Sequence, residues 1–127
     1  MNSMLWVGIG SALGGMVRYG ISLAVAKQSD SLFPIATLTV NVTGSFLIGF
    51  LLAATAEDGR WACPEVVRNF LMVGILGGYT TFSSFSIQTV QLMEKGAWGM
   101  VTANILGSVI LCLAGAWAGL RLARALV

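Results

Sequence analysis

Charge is the scarcest thing in this 127-residue chain: seven Lys and Arg with five Asp and Glu make up 9% of it. A water-soluble domain of this size carries roughly 25% charged residues, because a small globule has a large surface to wet. With 57% apolar residues, the excess surface has to face lipid, and a soluble enzyme is excluded. Histidine is absent altogether. That removes the commonest general base, metal ligand and near-neutral proton switch. Cysteine is nearly absent: Cys63 and Cys112 form neither a CxxC motif nor a ligand pair, so disulfide scaffolding is excluded. Glycine, by contrast, is abundant at 16 residues. In so apolar a chain it points to closely packed membrane helices, since flexible linkers are polar.

Apart from Arg18, the charges fall in short patches, and between the patches lie four apolar stretches at about 4–26, 32–56, 66–93 and 97–123. Each exceeds the ~20 residues a helix needs to cross a hydrocarbon core. The connections are only a few residues long, so residues 1–127 are expected to form a single all-α integral membrane domain of four spans. Ala24-Val25-Ala26 has the small-residue look of a signal-peptide cleavage site. The segment before it is longer than a signal's apolar region, contains Arg18 and lacks a basic start, so it is read as a span.

An even number of spans puts both termini and the middle loop on one side, with Arg60, Arg68, Arg121 and Arg124. Lys27 and Lys95 lie on the other side, joined by Arg18 if it snorkels toward the nearer end of its span. A protein with one fixed orientation shows a clearer bias than four against three. The near balance favours dual topology, in which copies insert both ways and pair as an antiparallel homodimer; a small protein also simply has few charges to count.

Polar residues at membrane depth are where function is sought, because each costs free energy unless paired or wetted. Arg18 is the one charge within a span. Two compatible readings stand for it: snorkelling to the headgroups, and raising the anion concentration at a water-filled vestibule. Thr37, Asn41 and Ser45 follow i, i+4 spacing and share one face of the second span. Asn41 there is either a helix–helix hydrogen bond or a donor to a ligand. Asn104 and Ser108 repeat the pattern more weakly in the fourth span. The pairs Gly10/Gly14 and Gly115/Gly119 are GxxxG motifs, read as packing.

The third span carries the most informative stretch, residues 77–86, GGYTTFSSFS. Two glycines followed by two β-branched threonines weaken a helix. A helix broken at membrane depth survives only where protein or an aqueous cavity covers it, and the half-helices then aim N–H groups and carbonyls into the gap. Phe82 and Phe85 project on one side of the following segment. Ring edges, hydroxyl donors and an asparagine amide offer positive potential to a small anion without a fixed cation. A fixed cation in a dry pore would hold the ion too tightly to release it. The competing reading is that the hydroxyls back-bond within their own helix and the rings pack.

This motif resembles the GGxTTFSTF signature of the Fluc, or CrcB-type, fluoride channels of bacteria. Thr37-Leu38-Thr39-Val40-Asn41 resembles their TLxxN second span, and Arg18-Tyr19 their early arginine–aromatic pair. Length, the four-span layout and Gly107-Ser108 also fit, so the resemblance covers essentially the whole chain. It implies an antiparallel dual-topology homodimer in the bacterial inner membrane, with two fluoride pores, passive fluoride export and a structural sodium ion at the dimer centre. It also implies that Phe82, Phe85 and Asn41 line the pore, that Ser83, Ser84 and Ser108 form its polar track, and that Arg18 stands at the vestibule. The backbone carbonyls of Gly77 and Thr80 are then expected to hold sodium. Two departures stand out: Gln88 replaces a glutamate common in the family, and Cys112 stands where relatives often carry threonine. The alternative reading is a small four-span proton-coupled multidrug exporter, whose chemistry requires an intramembrane carboxylate that this chain lacks. A helical assembly subunit without transport would leave the central polar stretch unexplained.

Overall fold

The computed structural model describes residues 2–126, so Met1 and Val127, the ends of the expected 1–127 unit, lie outside the described residues. Six α-helices run in chain order: α1 (Asn2–Gln28), α2 (Ile35–Ala54), α3 (Glu65–Asn69), α4 (Gly77–Tyr79), α5 (Phe82–Glu94) and α6 (Trp98–Leu126). Among the described residues there is no strand. Four units are long and apolar enough to cross a membrane: Ser3–Gln28, Ile35–Ala54, Glu65–Glu94 and Trp98–Leu126. The four expected spans are therefore all present. The second starts at Ile35 instead of near 32 because Pro34 precedes its first helical residue, a position where the missing N–H costs nothing.

The third span is the irregular one. It opens as α3 after Pro64, widens into a π-helical stretch at Phe70–Leu76, tightens into α4 and then breaks. Thr80 (φ −86°, ψ 158°) and Thr81 (φ −154°, ψ 114°) are both extended. The break falls on the threonines, whose β-branched side chains favour extended backbone; the glycines before them stay helical. The span closes at Gly96, whose φ of 69° permits a Schellman turn. There the N–H of Ala97 donates to the Leu92 carbonyl (3.0 Å) and that of Gly96 to Met93 (2.9 Å).

Lipid gives helices no hydrophobic reason to associate, so backbones must come close enough for dispersion to act. Glycines do this at two seams. In the first, Gly10 and Gly14 of α1 face the third span between Phe70 and Tyr79, while Gly74 and Gly78 face back onto Val7, Gly10 and Ser11. Gly74 and Gly78 thus form a third GxxxG pair, in addition to the two expected from the sequence. In the second seam, Gly115 and Gly119 of α6 meet α2 around Phe46, and Gly49 of α2 meets Ala116. The two helix pairs join where Gly44 of α2 abuts Thr80 and Tyr79 beside the break.

Gly14 and Gly15 make a sharp test of the first seam. A Cβ on Gly14 would run into the backbone of Ile75 and Tyr79, whereas one on Gly15 meets nothing within 4 Å. Gly14→Ala is expected to destabilise the fold by about 1–3 kcal/mol, the usual cost of overpacking, and Gly15→Ala to leave it unchanged. Thermal unfolding in detergent followed by size-exclusion chromatography reads both, and equal behaviour of the two would refute the seam.

Candidate functional site

The break strands backbone groups at membrane depth, and three side chains take them up. In a continuous helix the N–H of Thr81 would close on the Gly77 carbonyl; here it donates to Oδ1 of Asn41 at 2.8 Å. Nδ2 of Asn41 returns a bond to the Thr81 carbonyl at 3.0 Å. The amide of Asn41 thus grips both sides of one residue, as a neighbouring strand would. Thr81 then caps α5: its Oγ1 accepts from the Ser84 N–H at 3.2 Å and donates to the Ser84 hydroxyl at 3.1 Å. On the far side of the break, Nε of Arg18 donates to the Gly78 carbonyl at 3.0 Å, where the negative end of α4 also favours a cation. Tyr79 is tied to α2 by a 2.8 Å bond between its hydroxyl and that of Thr43.

Against this clamp lies a cavity of about 490 Å³ between α2, the break, α5 and α6. Of the residues expected at a site, Asn41, Gly77, Thr80, Phe82, Phe85 and Ser108 all line it, together with Ser45 and Cys112. No charged side chain is among its lining residues. The rings of Phe82 and Phe85 stand 5.2 Å apart with planes at 43°. Phe85 is half-buried, while Phe82 is 78% exposed on this chain. Because one Asn41 N–H and Oδ1 are committed to Thr81, the second N–H of the amide is the donor left over for a ligand.

Three expected residues lie apart from the cavity wall. Ser83 and Ser84 gather around the Thr81 hydroxyl, at 3.3 and 3.1 Å, and Arg18 is engaged at Gly78. Two residues have roles that the sequence reading did not assign to them. Thr81 is the cap of α5, signalled by a threonine three residues before Ser84, a spacing at which a side-chain oxygen meets a free N–H. Asn104 is fully buried at 1% exposure and donates to Thr89 Oγ1 at 2.9 Å, while Thr89 donates to the Phe85 carbonyl at 2.7 Å. This chain of bonds sets α5, and with it Phe85, against α6. The i, i+4 relation of Asn104 to Ser108 was visible, but nothing in the sequence says which of the two faces α5.

The chain is similar to known proteins over most of its length. The family described as CrcB-like protein, Camphor Resistance (CrcB), matches residues 5–120. A protein of Opitutus terrae named fluoride-specific ion channel FluC is 46% identical over 119 residues, 94% of this chain and 90% of that one. Proteins of the same name from Paramagnetospirillum magneticum (50% over 113 residues; 89% and 88% of the two chains) and Rhizobium meliloti (48% over 127 residues, the whole of both) are similarly related.

The Asn41 clamp has a measurable signature. Asn41→Ala leaves the Thr81 N–H and carbonyl without partners, a cost of about 1–3 kcal/mol for each buried group. Asn41→Asp keeps an acceptor for the N–H but aims a second oxygen at the carbonyl. Both variants are expected to lower thermal stability in detergent and to speed hydrogen exchange at the Thr81 amide. Exchange at wild-type rate in Asn41→Ala would show that the clamp does not hold the break.

Proposed function

This chain belongs to the CrcB-like family, and we propose that it is a fluoride-specific ion channel, a multi-pass membrane protein and not an enzyme. The observation that carries the reading is the charge-free cavity in which a spare Asn41 N–H, the Ser108 hydroxyl and two phenylalanine rings converge. Fluoride is a small, strongly hydrated anion, and leaving water requires replacement donors. Neutral donors in series, with ring edges between them, supply these without a site deep enough to trap the ion. Fluoride moves passively down its gradient, outward from a cytoplasm into which hydrogen fluoride has leaked. The exporter alternative finds no support: the third span's carboxylates, Glu65 and Glu94, stand at its two ends, where neither can relay protons through the bilayer centre.

The finer reading includes an antiparallel homodimer in a bacterial inner membrane, with one pore beside each copy's Phe82 and Phe85. Support for it comes from the near-balanced cations and from an aromatic ring, Phe82, left 78% exposed at the cavity. Ser83 and Ser84 enter as hydroxyls of the polar track near the break, and Arg18 as the positive potential behind it. A sodium ion also fits the residues present. Gly77's carbonyl has lost its usual donor, because the Thr81 N–H goes to Asn41. Thr80 precedes the α5 cap, and the Ser84 N–H that would reach back toward it goes to Thr81. Neutral carbonyls of this kind suit a monovalent cation, and a second copy would contribute the same pair. Such an ion would hold the two breaks together as a fixed charge.

Fluoride efflux from liposomes containing the purified protein, read with a fluoride electrode, tests the main reading. Efflux no faster than from empty liposomes, with folded protein confirmed, would end it. Phe82→Ile removes a ring edge and is expected to slow efflux by roughly ten-fold, a barrier higher by about 1.4 kcal/mol, while loss of the pairing with Phe85 lowers stability by no more than about 0.5–1.5 kcal/mol. For the dimer, a single cysteine placed at the C terminus in a C63S, C112S background is expected to label from both sides of the membrane. One-sided labelling would exclude dual topology.

A further inference from the structure

A second cavity, of about 460 Å³, shares no lining residue with the first. It sits at the end of the bundle where α2 finishes, α3 begins and α6 ends. Leu52 and Leu120 form its apolar walls, and Asp58, Arg68 and Arg124 its charged ones. Nε of Arg68 is buried without a hydrogen-bond partner. Among the described residues, no ion pair within 4.0 Å joins either arginine to Asp58 or Glu65. The C-terminal end of α6 offsets part of the charge on Arg124; Arg68, in the short opening helix of the third span, has no such offset. Two guanidinium groups against one carboxylate leave the cavity positive, with a buried donor that lacks an acceptor.

Contacts within the chain hold the walls. In the connection after α2, the N–H of Trp61 donates to the Ala54 carbonyl (2.9 Å) and that of Gly59 to Ala56 (2.8 Å). The Trp61 ring packs on Phe50 with centroids 5.6 Å apart, and Arg60 Nη1 reaches the Leu126 carbonyl at 3.4 Å. The depth is that of the membrane–water boundary: Trp61 is exposed, and Trp117 of α6 carries the Arg121 guanidinium 5.7 Å from its ring centre. Tryptophans and arginines of this kind mark the headgroup layer.

We propose that this cavity binds a phosphate-type oxyanion, supplied by the headgroup of an anionic phospholipid or by inorganic phosphate, through Arg68 and Arg124. Guanidinium forks match phosphate oxygens in pairs, and basic pockets between spanning helices at the bilayer surface take up anionic headgroups. Leu52, which lines the cavity and is exposed, offers acyl chains an apolar surface beside the charged groups. Asp58, at the exposed rim, weakens the site by its charge.

Native mass spectrometry of the purified full-length protein, supplied with phosphatidylglycerol, phosphatidylcholine or inorganic phosphate, tests this directly. The wild type is expected to retain phosphatidylglycerol in preference to phosphatidylcholine. The R68Q/R124Q double variant is expected to lose roughly ten-fold or more of that retention, as for charge-assisted bonds removed. Retention of inorganic phosphate with the same arginine dependence, and displacement of the lipid by it, assigns the site to the free anion; retention of the lipid alone assigns it to the headgroup. Should the double variant fail to fold, Asp58→Asn decides, because it removes the opposing charge and is expected to raise retention. Equal retention of the two lipids with no binding of phosphate overturns the proposal, as does retention that R68Q/R124Q leaves unchanged or that Asp58→Asn lowers or leaves unchanged.

Discussion

In a hydrocarbon core no water stands ready to accept a stray backbone N–H or donate to a stray carbonyl, so a spanning helix that stops in mid-membrane must have every orphaned group met by protein. The third span stops at Thr80–Thr81, and the rest of the bundle is arranged around that need. Asn41 supplies an acceptor and a donor to one residue, Thr81 caps the helix that restarts, and Arg18 meets the carbonyl of Gly78. Each of these side chains comes from a different segment, so α1, α2 and α5 all have to be held in register with α4 for the break to be tolerated.

Glycine provides that register. Gly10 and Gly14 interlock with Gly74 and Gly78, which fixes Arg18, a turn farther along α1, opposite the Gly78 carbonyl. On the other side Gly44 lets Thr80 and Tyr79 approach α2, one turn from Asn41. A side chain at either contact would push apart the pairs that satisfy the break. The π-helical stretch before α4 belongs to the same adjustment: its wider turn rotates residues 77–81 relative to α3 at the start of the span.

Much of this was legible in the sequence for a plain reason. Span number follows from the distribution of charge, because each charge left in lipid is costly and only Arg18 interrupts the four apolar stretches. The weak point of the third span was legible in Thr80-Thr81, whose β-branched side chains favour extended backbone, while the glycines before them stay helical and Gly78 serves the contact with α1. What escaped was pairing. Asn41 reads as a donor to a ligand or to a helix, and only the fold shows that it serves the backbone of Thr81 while leaving one N–H over. Arg18 reads as a snorkelling or vestibular charge, but its partner is a carbonyl 60 positions away. The four-residue spacing of Gly74 and Gly78 was hidden because Gly77-Gly78 drew the eye to the break. The π-helical stretch leaves no mark at all: Phe70–Leu76 is an ordinary apolar run.

The double duty of Asn41 bears on how the cavity functions. On the proposed reading, a residue that both seals the broken backbone and donates to a passing anion would couple the two, its donor held stiffly because its other atoms are occupied. A rigid neutral donor is what passage of a strongly hydrated ion calls for, since a mobile one would follow the ion and deepen its site. Loss of transport on substitution of Asn41 therefore cannot by itself be ascribed to a lost ligand, because the break is disturbed at the same time. Phe82 separates the two effects. It touches the cavity, bears no backbone role beyond its own helix and is largely exposed, so on the proposed reading its removal would alter the path while leaving the clamp intact. The absence of charge from the cavity lining and the clustering of arginines at the bundle's end then read as one division of labour: Arg18 apart, which the Gly78 carbonyl engages, the cations stay where water and headgroups screen them, and neutral groups line the cavity.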